Sequence, residues 1–170
     1  MEEIIPKKFI IQAGLLAAIV SIVFTIMLYS LDAHYDSGIG NLVVSLIILF
    51  SAIIWGTYEF KKANSGFISI NETLKIGTGV SLIIALTSTM FLYILANIIE
   101  PEYWNIVHEN LFNKVLETNP ELMGDMSLNE FLEQRTPTIW FYYFAGITIN
   151  LLIGFFFSFI LGLIIKKEKH

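Results

Sequence analysis

Tyr58-Glu59-Phe60-Lys61-Lys62-Ala63-Asn64-Ser65-Gly66-Phe67-Ile68-Ser69-Ile70-Asn71-Glu72-Thr73-Leu74-Lys75-Ile76-Gly77 is a short charged connection between two long apolar runs. It holds three of the ten basic residues of the 170-residue chain. The runs on either side are each long enough to cross a bilayer, which makes this connection the hinge between two membrane hairpins. Asn64-Ser65-Gly66 supplies its turn chemistry. Asn71 or Thr73 is expected to cap the helix that follows. Asn71-Glu72-Thr73 also matches a glycosylation acceptor, a reading discounted because it lies in a basic loop at a membrane end.

Working outward, the composition agrees with a membrane chain. Hydrophobic side chains make up 55% of the residues and charged ones 15%, against about a quarter charged in soluble domains. Mean hydropathy is +0.69. Residues 9–31 carry no charge and would rise roughly 34 Å as a helix, enough for a hydrocarbon core of about 30 Å. A basic start before an apolar run also describes a signal peptide. Its apolar part is usually about 7–15 residues and ends at a small-residue cleavage site. This run is longer and Ser30-Leu31-Asp32-Ala33 is a poor site, so a retained helix is expected. The remaining crossings are placed at about 39–58, 74–99 and 138–165. The expected fold is all-α and polytopic, a single membrane domain over 1–170 with four transmembrane helices in two hairpins.

The basic residues divide sharply between the two ends of these helices. Lys7, Lys8, Lys61, Lys62, Lys75, Lys166, Lys167 and Lys169 are eight of the ten, leaving only Lys114 and Arg135 on the other side. Lysine and arginine mark the cytoplasmic side. Both termini and the hinge are therefore expected in the cytoplasm, and the Asp32–Gly38 turn and segment 100–137 outside it. Within 100–137, Trp104, Val107, Leu111 and Val115 form an apolar stripe on a helix of about 102–117. That stripe either lies on the bilayer surface or folds back over the bundle. Ser127 with Glu130 three residues on predicts a capped helix at 127–134.

The hinge stretch also carries a resemblance. Gly66-Phe67-Ile68-Ser69 followed by Glu72-Thr73-Leu74-Lys75, with Tyr58 and charges closing the preceding helix, resembles a bacterial membrane-protein family. That family, mostly from Bacteroidota, is catalogued as domain of unknown function 4199. The likeness extends to the layout of nearly the whole chain, with Asn71 where the family often has glycine and Thr73 where it often has alanine. It implies an inner-membrane protein with no assigned activity, and no catalytic or binding residue carries over.

Two helices bear small or polar residues at a spacing of four, which keeps each set on one slowly drifting face. The third has Thr73, Gly77, Ser81, Ala85 and Thr89; the fourth has Gly146, Asn150, Gly154, Ser158 and Gly162. Lipid is as apolar as leucine, so membrane helices associate by close packing that small residues permit. The stripes read as packing faces within the monomer, with a homo-oligomer face or a substrate path as alternatives. Asn150, the most polar residue deep in the fourth helix, is expected to hydrogen-bond a neighbouring helix.

No catalytic, cofactor or metal site is read from the sequence. There is no cysteine, which removes thiolate chemistry and cysteine-based metal sites. His108-Glu109 lacks a second histidine four residues on, where Phe112 stands, so no two-histidine zinc face exists. Asp32, His34 and Asp36 form a small cluster read as a solvated turn ahead of a loose cation site. The few lysines sit at helix ends, which argues against nucleic acid. No Asp, Glu, Arg or His lies mid-crossing, and proton-coupled transport usually needs one. The parallel sense of the hairpins also differs from the inverted repeats of many transporters.

The expected role is a non-enzymatic structural, assembly or regulatory partner in the inner membrane. Its partners are expected to be the lipid bilayer and another membrane protein or a second copy of the chain. A transporter or channel subunit acting as an oligomer, with a path lined by Ser81, Thr87, Ser88 or Asn150, is the alternative. An enzyme on lipid-like substrates ranks third.

Overall fold

The computed structural model describes residues 5–35, 38–123 and 126–167. Among these residues seven helices follow one another: α1 (Lys7–Ser30), α2 (Ile39–Ala63), α3 (Ile70–Ile94), α4 (Tyr103–Thr118), α5 (Pro120–Met123), α6 (Leu128–Arg135) and α7 (Ile139–Ile165). A π-helical turn, Leu95–Ile99, continues α3 to the last residue of its apolar run. The helices α1, α2, α3 with its π turn, and α7 are each long and apolar enough to cross a membrane. Only 17% to 22% of the most apolar window of each is buried within the chain. The rest of each window is half-buried or exposed, and lipid is the solvent that accepts the exposed part.

Helix α3 is the centre of the bundle, packing most extensively on α7, then on α1 and α2. The α1 contact is parallel: a Cβ on Gly14 would lie 2.8 Å from Ile83 Cδ1, and one on Gly79 would lie 2.7 Å from Ile10 Cγ2. Each isoleucine fills the gap left by a glycine across the seam. Ala13, Ile53, Ile76 and Val80 complete this core, all at or below 1% exposure.

Two helix boundaries differ from the sequence expectation, and both have a local cause. Helix α2 runs five residues past Tyr58 because Phe60 is fully buried and packs edge-on against Phe9 at 5.6 Å. Lys61 and Lys62 then lie in its last turn, where positive charge suits the helix dipole. Helix α3 begins at Ile70, because the cap is Ser69 and not Asn71 or Thr73. Glu72 N donates to Ser69 Oγ at 3.2 Å, while Ser69 N donates to Glu72 Oε2 at 2.7 Å. This reciprocal box satisfies two amide donors that a helix start otherwise leaves unpaired.

Between them the chain turns through left-handed Ser65 and Gly66, with φ of 56° and +83°, and Gly66 N donates to Lys61 O at 2.8 Å. The hinge is then stapled to the end of α7. Ile68 and Lys167 exchange backbone hydrogen bonds of 3.0 and 2.9 Å, and Lys61 Nζ donates to Ile165 O at 2.9 Å.

At the opposite, acid-rich end, α4 folds back onto the bundle through its first turn. Tyr103 and Trp104 are buried with Leu95, Ala96 and Tyr143. Farther along, Phe112 meets Phe131 of α6 edge-on at 5.4 Å. The capping box expected at Ser127 and Glu130 starts α6.

Candidate functional site

The two small-residue stripes meet along the α3–α7 seam. A Cβ on Gly77 would fall 1.5 Å from Ser158 Oγ, and one on Gly154 would fall 1.7 Å from Ser81 Oγ. One on Gly162 would come within 3.3 Å of Thr73 Cβ. Four residues up α3 thus match four residues down α7, an antiparallel register in which each glycine receives the hydroxyl residue opposite. Ser81 Oγ donates to Gly77 O at 2.8 Å, and Ser158 Oγ donates to Gly154 O at 2.5 Å. Both hydroxyls satisfy themselves along their own helix, so close packing, not cross-helix hydrogen bonding, holds the seam.

Toward the acid-rich end the seam opens. Ala85 is still buried, but a Cβ on Gly146 would meet nothing within 4 Å. Gly146 therefore lies outside the contact that its spacing assigned it to. Asn150, half-buried, donates to Gly146 O of its own helix at 3.3 Å. The expected bond to a neighbouring helix is thus corrected: where the helices diverge, the backbone carbonyl one turn back is the acceptor in reach.

The acid-rich end holds the feature that sequence reading missed. His34, assigned to a solvated turn, is instead buried, its side chain 2% exposed. Its Nε2 lies 2.6 Å from Glu100 Oε2. A carboxylate accepts only, so Nε2 carries the proton there. The Tyr35 hydroxyl donates to the other oxygen, Glu100 Oε1. Burial pushes the Glu100 carboxyl up, but the Tyr35 and His34 hydrogen bonds outweigh it and leave it below its ordinary 4.5. The same bond, with burial and nearby charge, pushes the Tyr35 phenol up to about 12. Asp36, the third member of the expected cluster, lies outside the described residues. Among the described residues no group of three His, Asp or Glu is placed to hold a metal ion.

This three-residue clip ties the α1–α2 turn to the residue that follows the π turn of α3. Around it the rings pack together. His34 lies 3.9 Å from Tyr35 and 5.9 Å from Tyr103, centroid to centroid, and Tyr35 lies 5.7 Å from Tyr103. Burial pushes the Tyr103 phenol to about 12. Next door, Trp104 stacks on Tyr142 at 5.3 Å and donates from Nε1 to Tyr143 Oη at 3.3 Å. His108 packs against Tyr142, with Nε2 buried and unpartnered; burial lowers its pKa and keeps the ring neutral at pH 7.

These rings wall a pocket of about 670 Å³, formed by His34, Tyr35, Tyr103 and Tyr142. Val107 and Leu111 add apolar surface from α4, and Asn110 and Lys114 add one amide and one cation. Its size falls in the range of small-ligand sites, which combine apolar walls with a few placed polar groups. Three separate parts of the chain build it, the α1–α2 turn, α4 and the start of α7, and a π turn, a deformation common at functional sites, adjoins it. Of its lining residues, sequence reading weighed only His34 as a ligand group, took Val107 and Leu111 for an apolar stripe and counted Lys114 only as a charge.

Four apolar bilayer-length helices around one small-residue seam define a multi-pass α-helical membrane protein. The chain belongs to the family described as protein of unknown function (DUF4199), whose family model matches residues 12–167. A search of curated proteins returns no match, and a search of solved structures returns none.

Proposed function

We propose that the chain is a non-enzymatic partner of other components in a bacterial cytoplasmic membrane, with its lysine-rich end in the cytoplasm and its aromatic pocket outside. The carrying observation is the groove between α1 and α2. Ala13, Ala17, Ser51 and Ala52 give it small side chains, with Leu16 and Trp55 beside them. Small residues let a helix approach closely, and in lipid that packing drives association. The closed α3–α7 seam supports the same reading, since Ser81 and Ser158 are wholly buried and bonded to their own helices.

The test is co-purification in mild detergent followed by crosslinking from position 51, the exposed serine of the groove. A stoichiometric membrane partner held by the wild type and released by Ser51→Leu supports the reading. A monodisperse monomer crosslinked only to lipid overturns it.

The alternative, a transporter or channel subunit acting as an oligomer, draws on the opening of the seam beside Gly146 and the half-buried Asn150. Conductance or solute flux in proteoliposomes, abolished by Asn150→Leu, would favour it over the first.

A further inference from the structure

The aromatic pocket presents groups that attract both signs of charge. Tyrosine faces are electron-rich and attract cations, ammonium groups among them. Three tyrosines, Tyr35, Tyr103 and Tyr142, line the space. Glu100, bonded to Tyr35 and His34 but not itself among the lining residues, adds negative potential from that side. The opposite sign comes from Lys114, the one cationic lysine in the lining. It forms no salt bridge among the described residues.

A simple cation would meet Lys114 unfavourably. A multiply charged anion would meet the negative charge of Glu100, held beside the lining by Tyr35 and His34. A neutral zwitterion avoids both conflicts. The pocket also lies at the level where the membrane-spanning helices end, between the residue after the π turn and the first turn of α7. There, lipid head groups are the surrounding medium.

We propose that this pocket binds an ammonium–phosphate diester zwitterion, the chemistry of a phosphatidylethanolamine head group. The ammonium lies over the tyrosine faces, the phosphate is paired with Lys114, and Val107 and Leu111 cover the glycerol portion. A phosphate–lysine pair is a charge-assisted contact, among the stronger polar interactions a pocket makes. The same zwitterion exists free in solution as glycerophosphoethanolamine, so the source is settled by experiment.

The full chain, purified and delipidated in detergent, is titrated with dihexanoyl phosphatidylethanolamine. Binding is followed by native mass spectrometry and by tryptophan emission. Saturable one-to-one binding is expected, with dihexanoyl phosphatidylglycerol weaker by roughly tenfold or more and Lys114→Gln weakened by a similar factor. Tyr142→Phe keeps the ring face and should retain affinity, whereas Tyr142→Leu should lose it. Lys114 is exposed, so its replacement leaves the fold intact; an unchanged melting temperature verifies this. Competition by glycerophosphoethanolamine supports the zwitterion and assigns the ligand to solution. Saturable lipid binding without that competition supports it and assigns the ligand to the bilayer. Phosphatidylglycerol binding as tightly as phosphatidylethanolamine overturns the proposal, as does unchanged affinity in Lys114→Gln or non-saturable uptake of both lipids.

Discussion

Alanine at Gly154 tests the α3–α7 seam at one of its two tightest points. The new Cβ would fall 2.6 Å from Ser81 Cβ as well as 1.7 Å from its hydroxyl. Rotating the hydroxyl relieves only the second clash. Carbon atoms settle at about 3.5–4.0 Å, so the helices must part locally by roughly 1 Å. Overpacking of this kind costs about 1–3 kcal/mol, against which alanine gains up to about 1 kcal/mol in helix propensity over glycine. The expected net loss is about 1–2 kcal/mol.

Gly146, about two turns away on the same helix, is the internal control. It has open space where the Cβ would go, so Gly146→Ala keeps the propensity gain without the clash. Ser81→Gly on the opposite helix removes the obstacle. The double variant Ser81→Gly with Gly154→Ala should therefore recover stability that the two single losses do not predict, with a coupling of at least about 1 kcal/mol. Reversible unfolding in mixed micelles, read for all four variants and the wild type, measures it. Gly154→Ala as harmless as Gly146→Ala, or strictly additive single effects, would refute the account of the seam.

Other expectations follow from separate contacts. Asn150→Ala should cost less than about 1 kcal/mol, because its amide serves only its own helix; measured interhelical bonds average about 0.6 kcal/mol, and a loss well above that would reveal a partner on another helix. Ser69→Ala should lower the unfolding free energy by about 1 kcal/mol, and Asn71→Ala should not, with equal effects sinking the cap assignment. Glu100 has a folded pKa below 4.5, so the clip's stabilisation is present above that value and lost as pH falls through the folded one. Tyr35, raised from 10.0 to about 12, keeps its bond below pH 10 and loses it as pH rises through about 12. Phenolate absorbance in wild type and Tyr35→Phe checks the upper limb, and ionisation of Tyr35 near its ordinary value would contradict it. A reporter active only in the cytoplasm should work when inserted at Asn64 and fail at Asn119; activity at Asn119 would reverse the charge-side orientation.

What could be read in advance and what could not divides along physical lines. Spacing of four on one helix says that Gly77, Ser81, Gly154 and Ser158 share faces, because helical periodicity is a local property. It does not set where two helices diverge, so Gly146 and Ser158 look alike in sequence and differ in space. The start of α3 was legible in principle: Ser69 and Glu72 have the same spacing as Ser127 and Glu130. Hydropathy drew the boundary to Leu74 because Asn71, Glu72 and Thr73 just before it are polar. The clip was not legible. His34 and Glu100 are 66 positions apart, and their meeting depends on the π turn, which no local residue pattern announces. An acid just after an apolar run and a histidine in a polar turn each look solvated when taken alone.

The α3–α7 seam also imposes an order on biosynthesis. Helix α3 leaves the ribosome well before α7, so its grooved face is complete while its counterpart is still unmade. By then α1 and α2 already cover other sides of α3, and the three-helix intermediate waits with Gly77 and Ser81 uncovered. The insertion machinery, or a second nascent chain, is the neighbour available to shield that face. In the finished bundle α7 covers that face, and Lys167 pairs with the hinge at Ile68. Maturation of the bundle is therefore a C-terminal event, and chains stopped short of residue 139 should persist as clients of the insertase.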